Sequence, residues 1–204
     1  SGGGMSIVSM AGPPVFAPRL HTAALPDGGL AVVDSSAWVV KMVGPDGQVR
    51  SRLSRPIEAE EVTSRIERRE IERQLAELES GGGPRMRIVT DDGSGEREMP
   101  EEAVQEMMRD RIQNRGFYPV IPVVRGLAAG WDGRLWVERR VEGNPTVDGP
   151  IDLVSSAGEY LGTVDAEGPG VPDAFGPDGL VAYIEQDEME VPLVVVRRLP
   201  AELR

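Results

Sequence analysis

The chain has 204 residues, 40% hydrophobic and 27% charged, with a formal net charge of −12. That length can bury a substantial core, while the acidic balance argues against nucleic acid, whose phosphates need a local excess of Lys and Arg. Cysteine is absent, which excludes disulfides, thiolate metal sites and cysteine nucleophiles, and no apolar run approaches the ~18 residues of a membrane-spanning helix.

In chain order, residues 1–15 read as a linker or tag followed by a short N-terminal strand. Ser1-Gly2-Gly3-Gly4 is a flexible tether, either an expression scar or the start of a processed lipoprotein, and no signal-peptide pattern is legible at the start. Residues 16–56 form a first β unit. Asp27-Gly28 and Asp46-Gly47 are each flanked by recurring apolar residues, a strong hairpin signal because glycine accepts the positive φ of a tight turn.

Residues 57–116 change character and read as a helical insertion. A helix is expected around 64–80, where Ser64 and Glu67 have capping-box spacing and Val62, Ile66, Ile71, Leu75 and Leu78 make a narrow apolar stripe, stopped by Gly81 to Gly83. A second helix is expected to follow Pro100 and to stop at Gly116. Glu101 and Glu102 suit its positive end, and Ala103, Val104, Met107, Met108 and Ile112 mark its apolar face. Between the helices a hairpin around Asp92-Gly93 or a loop is expected. The helical pair reads as a lid on its own domain or as a docking surface, with Met107 and Met108 as adaptable contacts.

Residues 117–204 hold second and third β units, expected to pack with the first as one domain. Their turns are Asp132-Gly133, Ala157-Gly158 and Asp178-Gly179, and the third unit ends one strand short of the other two. Gly133 and Gly179 lie 46 positions apart; Gly28 and Gly133 lie 105 apart, and setting aside the 59 residues of 57–115 leaves 46 again. A period in the mid-forties belongs to propeller blades of about four strands each. The expected fold is mainly β, about three antiparallel propeller-like blades with a two-helix insertion. The alternative is a β-sandwich or barrel-like meander.

Catalytic constellations are sparse. His21 is the only histidine, which precludes a His-rich metal site and weakens any Ser-His-Asp arrangement. Asp91-Asp92-Gly93 and Asp187-Glu188 lack the alternating spacing of a calcium loop. Ser80 to Pro84 lacks the Lys-Ser/Thr of a phosphate loop, and no dinucleotide fingerprint occurs. No cofactor and no metal are implied. Trp38 and Trp136 read as packing between sheets or as ligand platforms. Tyr118 sits where the chain returns from the insertion. Arg139 and Arg140 are adjacent, so on a strand they point to opposite faces, and one of them lines a channel or pairs with acid. The candidate binding residues are therefore Trp38, Met107, Met108, Tyr118, Trp136 and Arg139.

The stretch PDGGLAVVDSSAWVVKMVGPDGQVRSRL resembles the NHL-like six-bladed β-propellers of exported bacterial proteins. The later DGRLWVERR, GPIDLVSSAGEYLGTV and PDAFGPDGLVAYIEQDEMEVPLVVVRRL resemble the closing blades of such a protein, and the insertion beginning RPIEAEEVTSRIERREIE is similar to one found there. The resemblance implies a binding or scaffolding role in the periplasm or at the cell surface, with a cytoplasmic location still open, and it supplies no catalytic residue. A ring of six blades needs about 250 residues at this period, so the chain reads as the C-terminal half of a longer propeller or as a shortened relative. Open sheet edges invite pairing, so the expected partner is another protein, a second copy, or a membrane-associated complex on which the module docks. The leading function is a non-catalytic binding or scaffolding module, an accessory subunit of a larger assembly. The alternatives are a propeller-type hydrolase or lyase using Asp34, Glu138 or Asp152, and a small-ligand or metal sensor.

Overall fold

The repeat begins in its turns. Gly28, Gly47, Gly133, Gly158 and Gly179 all have φ between 71° and 88°, the left-handed region in which a side chain costs about 1–2 kcal/mol. In the first turn Leu25 N donates to Gly29 O at 2.9 Å, and Gly28 N donates to Leu25 O at 3.0 Å. Asp27 Oδ1 accepts from Gly29 N at 2.9 Å. The same three bonds recur around Gly47 and Gly133, with Asp46 and Asp132 as the side-chain acceptors. At Gly158 the preceding residue is Ala157, and Ser155 Oγ accepts from Glu159 N instead, at 3.0 Å. This is a tight turn closed by a left-handed glycine, a common hairpin connection.

Gly133 is a crowded turn position. A Cβ there would lie 3.2 Å from Ser156 Cβ, whereas Gly47 has nothing within 4 Å. Gly47→Ala is expected to lower unfolding free energy by about 1–2 kcal/mol in urea titration through backbone strain alone, and Gly133→Ala by more, since its Cβ also meets Ser156. Equal losses at the two sites would rule out crowding as a contributor.

The structure, a computed structural model, describes residues 12–80, 87–89, 96–98, 100–141, 147–165, 168, 170–187, 189 and 191–203. Strands β1 (Leu20–Ala24), β2 (Leu30–Asp34), β3 (Val39–Val43) and β4 (Val49–Ser54) form sheet 1, an antiparallel meander in sequence order. Helix α1 (Ser64–Ser80), strands β5 (Arg87–Val89) and β6 (Glu96–Glu98) and helix α2 (Glu101–Gln113) make up the insertion. Sheet 2 contains β7 (Val124–Ala129), β8 (Leu135–Arg139), β9 (Ile151–Val154) and β10 (Tyr160–Val164). Sheet 3 has three strands, β11 (Ala174–Phe175), β12 (Leu180–Gln186) and β13 (Pro192–Arg198).

The chain divides into two compact units: the described residues of 1–17 with 61–119, and those of 18–60 with 120–204. In the helical unit the expected patterns need three corrections. Ser64 is itself the first helical residue, and Glu67 N bonds Thr63 O, so the helix starts one position earlier than a Ser64 cap requires. Of the expected stripe on α1 only Ile66 is buried, and Glu70 is buried with it. That carboxylate is compensated by Arg73 at 2.6 and 2.8 Å and by Gln74 at 2.7 Å. Helix α2 ends at Gln113 instead of running to Gly116, because Asn114 takes the cap and its side chain bonds back to Asp110. The glycines at 81–83, the Asp92-Gly93 turn and Ser1 to Gly4 lie outside the described residues; β5 and β6 pair antiparallel, Arg87 opposite Glu98.

In the β unit, sheet 2 is the middle layer. Strand alternation sends Leu135, Val137 and Val154 toward sheet 1, where they meet Ala23, Ala31, Val33 and Val40. Trp136, Ile151 and Leu153 go the other way and meet Val181 and Phe175 of sheet 3. The leading strands β1 and β7 lie side by side, and Val124 N donates to the buried Ser35 O at 3.1 Å. The fold is thus mainly β, three stacked antiparallel sheets with a helical insertion. No sheet closes into a ring or barrel among the described residues.

Candidate functional site

Three leading strands, β1, β7 and β11, border a groove of about 610 Å³. Each is the terminal strand of its sheet, so each carries one unpaired backbone edge. The wall is built of small residues, among them Ala23, Ala24, Ala128, Ala129 and Ala174, and Asp173 is its one ionisable lining group. Asp173 Oδ2 accepts from Ile184 N at 2.7 Å, so it is spent on the fold. Trp131, 66% exposed, stands at the rim. It occupies the turn position that Pro26 fills in the first unit, a place where side chains face solvent, and that position is its signal in the sequence.

The three carboxylates considered for hydrolysis do not converge. Asp34 is exposed at the end of β2, and its Oδ1 accepts from Ser36 N at 3.0 Å. Glu138 pairs with Arg125 at 3.0 Å, and Arg125 also reaches Asp148 at 2.5 Å. Asp152 sits opposite Val137 in the ladder, while Glu138 sits opposite Ile151; the two carboxylates therefore leave sheet 2 on opposite faces.

Asp152 is fully buried on the face toward sheet 1. Arg55 Nη1 and Arg139 Nε approach its Oδ2 at 2.5 and 2.9 Å, too obliquely for hydrogen bonds, so both contacts are ionic. Thr163 Oγ1 donates to Asp152 Oδ1 at 2.6 Å. With its single proton so used, Thr163 can only accept from Tyr160 O–H at 2.6 Å. The Arg55 guanidinium lies 4.4 Å from the Tyr160 ring centre and 5.8 Å from that of Trp38. Arg139 thus pairs with acid and Trp38 joins the same cluster, 2% exposed. The charged and hydroxyl groups here neutralise or hold one another, with only the buried Trp38 Nε1 left without a hydrogen bond or an ionic partner in the cluster, which is the behaviour of a buried structural network.

The remaining candidates lie apart. Trp136 is 1% exposed and packs 5.6 Å from Phe175 on the opposite face of sheet 2. Met107 is exposed and Met108 half-buried, both on α2. Tyr118 is half-buried, its N–H donating to Val15 O at 2.8 Å. Neither Trp38 nor Trp136 presents a free ring face, so neither can act as a ligand platform.

His21 is held below the usual 6.5, first by burial and then by the nearby charges of Arg19 and Arg140. A lowered folded pKa means the unfolded chain takes up the proton first, so this stability is present above 6.5 and is lost as pH falls through the folded pKa. Melting temperature is expected to fall on mild acidification less steeply in His21→Gln than in wild type. An unchanged slope would assign the effect to carboxylates.

One exposed apolar feature among the described residues was not among the expected sites. On the outer face of sheet 3, Ile184, Val194 and Val196 are 63%, 68% and 64% exposed. Ile184 stands opposite Val194, and Ala182 opposite Val196 and Ala174, so the residues form one continuous patch. Its sequence signal was the run of Val194, Val195 and Val196.

Among the described residues no group of three His, Cys, Asp or Glu is placed to hold a metal ion, and no helix is long and apolar enough to cross a membrane. No known family and no curated protein matches the chain. Among solved structures it is similar to a protein of unknown function from Bacteroides caccae, with 15% identity and a TM-score of 0.23, over 91% of this chain and 62% of that one.

Proposed function

We propose that the chain is a non-catalytic, propeller-like β module that works by binding protein, as a scaffold or accessory subunit of a larger assembly. The observation that carries this reading is the exposed apolar face of sheet 3, with Ile184, Val194 and Val196 contiguous and each more than 60% exposed. Contiguous exposed apolar surface of this kind marks interaction sites. The propeller-like character is supported by the repeated turn, the meander order of each sheet and the face-to-face stacking. An exported setting follows from the resemblance to the NHL-like proteins. Hydrolysis has little support, since the candidate carboxylates point apart and are paired.

The test is capture on the immobilised chain, wild type beside Ile184→Asp, with any retained protein identified and its binding repeated with the purified component. A partner held by wild type and lost by Ile184→Asp is expected. Equal retention by both, or turnover of ester or lactone substrates abolished by Glu138→Gln, overturns the reading.

A further inference from the structure

The three sheets are built to one plan, which gives each of their faces a definite counterpart. Counted from the turn glycine, Ala31, Trp136 and Ala182 are equivalent, each three residues on. Ala31 packs toward sheet 2 and Trp136 toward sheet 3, but Ala182 faces outward beside Val196. On the other side, Leu135 and Val137 pack against sheet 1, and Val181 and Tyr183 against sheet 2. Their equivalents Leu30 and Val32 belong to the outer face of sheet 1, where Leu30 is 44% exposed. The chain therefore repeats one kind of face-to-face junction twice and leaves one of each half-junction unfilled. Lys41, across the ladder from Val32, occupies the place that Asp152 occupies across from Val137. An ionic residue there is compatible with a buried face, since Asp152 is fully buried, while in sheet 3 the same place, across from Tyr183, is held by Val195.

Resting on the propeller-like reading above, we propose that the occupant is a second copy of this chain. The outer face of sheet 3 in each copy packs on the outer face of sheet 1 in the other, and the two junctions close a ring. The contact is head-to-tail, because the two unfilled faces differ and match each other as the internal faces do. Propellers close with roughly four to eight blades; two copies of three sheets fall within that range and three copies exceed it.

Light-scattering mass is the readout, on the full chain, with circular dichroism confirming that each variant folds. Wild type is expected at twice the chain mass. Ile184→Asp and Leu30→Asp each place a charge in both junctions and are expected to raise the dissociation constant about 100-fold or more. An equimolar mixture of the two variants retains one junction free of both substitutions and regains dimer mass. Val194→Asp replaces Ile184→Asp should that variant fail to fold. A monomeric wild type overturns the proposal, as does a dimer broken by Ile184→Asp but not Leu30→Asp, or a mixture without recovery. If wild type is monomeric and Ile184→Asp still abolishes capture of a purified partner, the second copy is wrong and the protein-binding reading stands. If Ile184→Asp changes neither mass nor capture, both fall.

Discussion

Asp152→Ala is expected to lower unfolding free energy by about 3–5 kcal/mol, among the largest losses available to a single change in this chain. The wild-type carboxylate is fully buried between sheets 1 and 2 and holds two guanidinium groups on one oxygen and a hydroxyl on the other. Removing it leaves Arg55 and Arg139 facing each other without a counter-charge. Their side chains keep 29% and 22% exposure, so water relieves part of the repulsion and the lower end of the range applies. Asp152→Asn separates the contributions: it keeps the volume and an acceptor for Thr163 but removes the charge, so it should recover only the packing and hydrogen-bond share. Urea titration measures both. A loss below about 1 kcal/mol for Asp152→Ala would mean that the arginines relax to solvent and the cluster does not join the sheets.

The residues that were legible in the sequence are those whose constraint is local. Gly28, Gly47, Gly133, Gly158 and Gly179 could be picked out because a left-handed turn position admits little else, and all five adopt it. The helices at 64–80 and 101–113 were legible through their composition and spacing, the first with its cap off by one residue and the second ending a few residues early, where capping by Asn114 competes with the nearby glycine. The Asp152 cluster was not legible, because Arg55, Arg139 and Thr163 meet only through ladder register and sheet stacking. The outer face of sheet 3 was hidden for another reason. Ala182, Ile184, Val194 and Val196 alternate as the buried strands of sheets 1 and 2 do, and a pattern of period two says which residues share a face without saying what covers it.

Trp136→Ala is expected to cost about 3–5 kcal/mol, and its effect should be unevenly spread. Trp136 is the largest residue in the small core between sheets 2 and 3, which it shares with Ile151, Leu153, Val181 and Leu199. Its ring packs on Phe175 at a 52° tilt, a geometry that contributes beyond area alone. Sheet 3 pairs β11 over two residues only, so it is close to a two-stranded ribbon, and such ribbons are marginal without a surface to pack on. Sheets 1 and 2 retain their own core around Trp38, Val40, Leu135 and Val137. Hydrogen exchange in Trp136→Ala should therefore show β12 and β13 opening while β2 and β8 stay protected; uniform loss across the sheets would show one cooperative unit instead. Trp136→Phe should restore most of the protection. The partner binding proposed for sheet 3 should fall with that sheet, although Trp136 lies between sheets 2 and 3, away from the outer face. Ile184 and Val194 are held in one plane only because the opposite side of their sheet is anchored. An intact affinity in Trp136→Ala would separate binding from that face altogether.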